Sequence, residues 1–203
     1  MDYRDPQMER GLEGEPSYAD GWAASTIVPL PLDPRISAVI EACEWWKAFA
    51  GQFRLELAPP VDLYIRRNVP DETSFLRDFF THPALLDQLP DYEPLGLPPW
   101  ERGPLPHDLG LSRRGAWITT AALAGAVAFR GLTAHRSNPD EEVLRLIRDF
   151  AEAAFETRYS GTWGYSGADP WCNWFLGSVS DSTYFWFDKK RGIATVLLAS
   201  DSD

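Results

Sequence analysis

Ser182-Thr183-Tyr184-Phe185-Trp186-Phe187 and Ile193-Ala194-Thr195-Val196-Leu197-Leu198, separated by Asp188-Lys189-Lys190-Arg191-Gly192, decide how the fold is read. Both runs are dense in β-branched and aromatic residues, the types that fit the pleated, half-buried surface of a sheet. The charged, glycine-ended segment between them suits a hairpin loop. An antiparallel C-terminal hairpin is therefore expected, and it needs further strands to bury its faces.

Upstream, Phe53-Arg54-Leu55-Glu56-Leu57 and Val61-Asp62-Leu63-Tyr64-Ile65-Arg66 alternate apolar with polar residues, the period of a strand with one buried face. Pro59-Pro60 separates them without the Asn-Gly or Asp-Gly signal of a tight turn. These two strands are expected to join the hairpin in one sheet.

Helices are signalled twice by a capping residue followed by proline. Asp33-Pro34 precedes Ile36, Val39, Ile40, Cys43, Trp46 and Phe49 at helical spacing, with Gly51 beyond, so a helix is expected over about 34–50. Asn138-Pro139 precedes Val143, Leu144, Ile147, Phe150, Ala151, Ala154 and Phe155, predicting a second helix over about 139–157. The acids Asp140, Glu141 and Glu142 in its first turn complement the helix dipole. Shorter helices are expected from Asp71 through Phe80 and from Pro83 through Leu89. Residues 116–130 are alanine-rich, which favours helix, but Thr119-Thr120 and Gly125 leave a strand open.

Between Leu89 and Gly110 stand six prolines, a density that excludes regular helix and central strand, so residues 90–110 read as a long loop. The charged, Gly- and Pro-containing residues 1–20 read as a flexible arm. The expectation is an α+β fold: a single domain over 21–203, with an antiparallel sheet packed by two main helices and shorter ones.

The chain has 203 residues and a net charge of -11. Residues 1–101 hold 18 acids and 8 bases, whereas residues 102–203 hold 12 and 11, so the acidity belongs mainly to the first half. A domain that grips nucleic-acid phosphates carries a basic excess, so nucleic-acid binding is not expected. The longest uncharged stretch, Gly115 to Phe129, is too short to span a bilayer. Met1-Asp2-Tyr3-Arg4-Asp5 lacks the basic-then-apolar pattern of a secretory leader. A cytosolic protein with Cys43 and Cys172 as free thiols is expected, with no membrane contact.

The motifs that carry chemistry are sparse. His82, His107 and His135 are isolated, with no paired ligands nearby, so no metal and no cofactor is expected. Cys43 falls on an apolar helix stripe and reads as a small core residue. Cys172, within Trp171-Cys172-Asn173-Trp174, is the one thiol with a catalytic alternative, which requires His107 or His135 as its base after folding. Trp163, Tyr165, Trp171 and Trp174, beside Asp169 and Asp181, suit a contact surface for a basic protein, aromatics anchoring and acids steering. The same residues equally suit a core. The functional expectation is a non-enzymatic cytosolic protein that binds and occludes a basic protein partner, as toxin-neutralising immunity proteins and other inhibitors do. A small cysteine-dependent hydrolase or transferase using Cys172, and a small-molecule or sugar-binding module, are the alternatives.

Overall fold

The computed structural model describes residues 18–43, 45, 47–59, 61–62, 72–90, 112–130, 139–168, 174–175 and 181–200. Its centre is a six-stranded sheet in which every neighbouring pair is antiparallel. The strands are β1 (Thr26–Leu30), β2 (Lys47–Glu56), β3 (Ser112–Arg113), β4 (Thr162–Gly167), β5 (Ser182–Asp188) and β6 (Ile193–Ser200). They lie in the order β1-β2-β6-β5-β4-β3. The expected hairpin is present as β5 and β6, with Phe185 opposite Val196 and Asp188 opposite Ile193. Its turn is fixed by Asp188, whose Oδ1 accepts the backbone N–H groups of Lys190 at 3.0 Å and Arg191 at 3.2 Å. Gly192 takes φ +64, a left-handed conformation natural to glycine, and its carbonyl accepts the Leu55 N–H at 2.7 Å.

Six α-helices are described: α1 (Tyr18–Ala23), α2 (Pro34–Cys43), α3 (Glu72–Phe80), α4 (Pro83–Leu86), α5 (Gly115–Arg130) and α6 (Pro139–Phe155). They cover both faces of the sheet. On one face Phe53, Leu55, Trp163, Tyr165, Phe185, Phe187, Val196 and Leu198 pack under α1, α3 and α4, which contribute Trp22, Phe75, Leu76, Phe79, Phe80 and Leu85. On the other, Ala50, Tyr184, Trp186, Leu197 and Ala199 pack under α2, α5 and α6, through Ile36, Val39, Cys43, Leu123, Val127, Ile147, Phe150 and Ala154. Double coverage explains why all eight residues of β6 are buried and why six of them are apolar, with only Thr195 and Ser200 polar. The fold is α+β, as its sequence predicts.

Four expectations are corrected in detail. The helix expected over 34–50 ends at Cys43, and Lys47–Glu56 is strand β2. Phe49 and Phe53 suit either periodicity, and pairing with β1 and β6 along its length decides for strand. The strand expected from Val61 is not formed there: the Asp62 N–H donates to the Ala58 carbonyl at 3.0 Å, a helical turn. Pro59 and Pro60 cannot donate to a ladder but suit the first turn of a helix. Residues 63–66 of that expected strand lie outside the described residues. The place beside β2 is taken by β1, where Pro29 is tolerated because the strand is at the edge of the sheet. Trp163 and Tyr165, expected on a contact surface, lie within strand β4, and the arm expected over 1–20 overlaps α1 at Tyr18–Asp20. The proline-rich residues 91–111 lie outside the described residues.

Residues 115–130 are helix. The start of α5 lies directly on β4 at Gly164, whose carbonyl accepts the Arg114 N–H at 3.0 Å. A side chain at 164 would fall 2.6 Å from the backbone of Ala116, so glycine is what permits this approach.

Candidate functional site

Four of the six residues expected to form a contact surface, Trp163, Tyr165, Trp174 and Asp181, are buried. Trp163 and Tyr165 stand on β4, facing Phe187 and Phe185 across the strand pair, and both are buried under α3. Their rings meet edge-on at 6.5 Å, and Trp163 meets Phe75 at 5.9 Å. Trp174 and Asp181 are fully buried as well. A side chain closed off from solvent offers no surface to a partner, so the core role wins over the contact role for these four. The cause is topological: the sheet face under α1, α3 and α4 needs large apolar groups, and β4 supplies two of them. Asp169, Trp171, Cys172, His107 and His135 lie outside the described residues. Cys43 is a buried thiol on α2, as its helix stripe predicts.

Two buried acids remain to be explained. Asp181 precedes β5 and accepts a hydrogen bond from Ser200 Oγ on β6, beside Lys47 of β2, which pairs with Ser200. The Lys47 ammonium lies 4.8 Å from the centroid of the Trp174 ring, a cation–π contact. These groups close one end of the sheet.

Asp188 closes the other end. Its fully buried carboxylate pairs with Arg158, which also pairs with Glu156, and Arg191 lies 3.5 Å from Glu156. The hydrogen bond to Asp188 is the largest influence raising the guanidinium pKa, so Arg158 stays protonated. The chain reaches this position through Glu156 (φ 50) and Thr157 (φ 55), both left-handed. Glu156 N–H donates to the Glu152 carbonyl at 3.0 Å, closing the end of α6. A β-branched threonine in that region is unfavourable, and the turn is closed by the Thr157 N–H donating to the Ala151 carbonyl at 3.2 Å, with the Asp188–Arg158 pair beyond it.

Glycosidase acids stand roughly 5–9.5 Å apart. Asp181 and Asp188 are separated by the length of β5, about 23 Å, and do not work on one bond. Among the described residues no group of three or more His, Cys, Asp or Glu is arranged to hold a metal ion. His82 caps α4, its Nδ1 accepting the Ala84 N–H at 3.1 Å. Burial lowers its pKa, and the nearby Asp87 opposes that only in part. Among the described residues no helix is long and apolar enough to cross a membrane.

What the sequence reading missed is on the outside of α5. Trp117 is 67% exposed and Ile118 52%, and Leu144, on the solvent face of α6, is 68% exposed. The Trp117 and Phe155 rings each meet Tyr159 at 5.1 Å, which sets the start of α5 against the end of α6. The available signal was the uncharged run from Gly115 to Phe129, in which one helix side is left without a polar residue. No protein-family model matches the chain, and no curated protein is significantly similar to it.

Proposed function

We propose that this chain is a non-enzymatic interaction protein that binds and occludes a basic protein partner, in the manner of an immunity protein or other inhibitor. The observation that supports this reading is where the charge lies. The described residues, essentially the sheet and its helices, hold 16 acids and 13 bases. The remaining residues hold 14 acids and only 6 bases. Residues 1–17 contribute five acids against two bases, and the proline-rich residues 91–111 four against one. The acidic excess therefore falls mainly on residues outside the described ones, and the described sheet and helices are nearly neutral.

Such a division suits inhibition. Concentrated carboxylates attract a basic surface over a Debye length and raise the association rate, by about 10- to 1000-fold in steered complexes. The bulk of the sheet and its two helix layers then blocks the partner's working surface. Charge selects the partner and bulk inactivates it.

The test is a pull-down from native lysate with the full chain, at low and at high salt. The expected result is one stoichiometric basic protein, released by salt. It is lost when Asp2, Asp5, Glu9, Glu13, Glu15, Asp91, Glu93, Glu101 and Asp108 are replaced by their amides. Recovery of no stoichiometric partner, or of one whose binding ignores those amides, overturns the proposal.

A further inference from the structure

We propose that the chain forms a symmetric homodimer through the outward side of α5. The helix carries no charge from Gly115 to Phe129. Ala116, Thr119, Thr120, Leu123 and Val127 are its buried side. Trp117, Ile118, Ala121, Ala122 and Gly125 are exposed and fall on one side at spacings of i, i+1, i+4, i+5 and i+8. A surface helix ordinarily places polar residues there, and an exposed apolar strip marks an interaction site. Gly125 is a separate observation. Glycine in mid-helix costs about 1 kcal/mol against alanine. Among the described residues no neighbour requires it, because a Cβ at 125 would meet nothing within 4 Å. The hollow at Gly125 opens outward, toward whatever approaches the helix.

Shape and charge both select a second copy. Trp117 and Ile118 stand at one end of the strip and the Gly125 hollow at the other, about 12 Å away, with Ala121 midway. In a two-fold contact, if residue i meets j then j meets i. An axis beside Ala121 lays Trp117 of each copy over Gly125 of the other and brings the alanines together at the centre. One strip thus supplies both the projection and the hollow that receives it. A chain of net charge -11 repels its own copy wherever acids face each other, and this strip carries none. Five residues on one side of one helix make a small contact, at the lower end of specific interfaces, which begin at about 1,000 Å² in total. A micromolar dimer is expected, and it does not depend on the basic-partner reading.

Sedimentation velocity of the full chain across the micromolar range tests it. The 22.9 kDa monomer should give way to a species of twice that mass as concentration rises. Ala122→Glu, an exposed helix position where the fold tolerates charge, should weaken dimerisation at least ten-fold with unchanged circular dichroism. Ala121→Cys, in a Cys172→Ser background, should form a disulfide-linked dimer on mild oxidation, whereas Glu141→Cys should not. A chain that stays monomeric throughout overturns the proposal. So does a dimer indifferent to Ala122→Glu, or equal cross-linking of the two cysteine variants.

Discussion

Gly164→Ala should destabilise the fold by about 3 kcal/mol, although it adds one methyl group to a strand. The added Cβ falls 2.6 Å from Cα and N of Ala116 and from the carbonyl carbon of Gly115. Ordinary contact between carbons needs about 3.5 Å, so α5 must retreat by about 1 Å. All three obstructing atoms belong to backbone, which cannot rotate aside. Over-packing costs about 1–3 kcal/mol. Retreat also loosens the Arg114 N–H bond to the Gly164 carbonyl, 3.0 Å long, worth about 1 kcal/mol. It further strains the Trp186 indole bond to Thr120 Oγ1, 3.2 Å long. For a chain of this size the sum lowers Tm by about 6–12 °C. Gly125→Ala is the control in the opposite direction. Its Cβ meets nothing within 4 Å, so at dilute concentration it should gain up to about 1 kcal/mol from helix propensity. Urea and thermal unfolding of both variants read the two effects. A Gly164→Ala protein within about 0.5 kcal/mol of the parent would refute the close approach of α5 to β4.

Phe79→Ala removes a fully buried ring that touches Phe53, Phe75, Phe80 and Phe185, and urea unfolding should show a loss of about 3–5 kcal/mol. Asp188→Asn keeps an acceptor for the turn but presents an amide N–H₂ or a neutral oxygen to Arg158. The buried mismatch should cost about 1–3 kcal/mol in the same assay, and no change would remove Asp188 from its structural role. His82 has a folded pKa below the ordinary histidine value of 6.5, so the unfolded chain takes up its proton first on acidification. Its contribution is complete above pH 6.5 and is lost as pH falls from there through the folded pKa. Urea midpoints should decline across that interval in the parent. The decline should be smaller in His82→Asn, which retains a capping side chain, and an identical decline in both would exclude His82.

The elements that were legible are those whose local signals agree with their tertiary surroundings. The β5–β6 hairpin combines strand composition with a loop that has its own acid cap and glycine, and α6 combines a proline start with a strong apolar stripe. The strand expected from Phe53 is present, but β2 begins earlier, at Lys47, because Trp46 and Phe49 continue the apolar spacing of α2 and only pairing with β6 distinguishes strand from helix there. Val61-Asp62 alternates like the start of a strand, yet the preceding prolines set a helical turn. Trp163, Tyr165, Trp174 and Asp181 show why aromatics beside acids do not identify a surface. Composition is the same for a core strand and a contact loop, and the difference is whether helices cover that face. The exposed strip on α5 was visible only as an absence of charge, which reads equally as burial until the neighbours of the helix are known.

Under the proposed function, charge steers the chain onto its basic partner. The most direct measurement is the association rate constant of the captured partner as a function of ionic strength. A steep fall with rising salt, with the dissociation rate changing much less, is what steering predicts. An association rate indifferent to salt would contradict it.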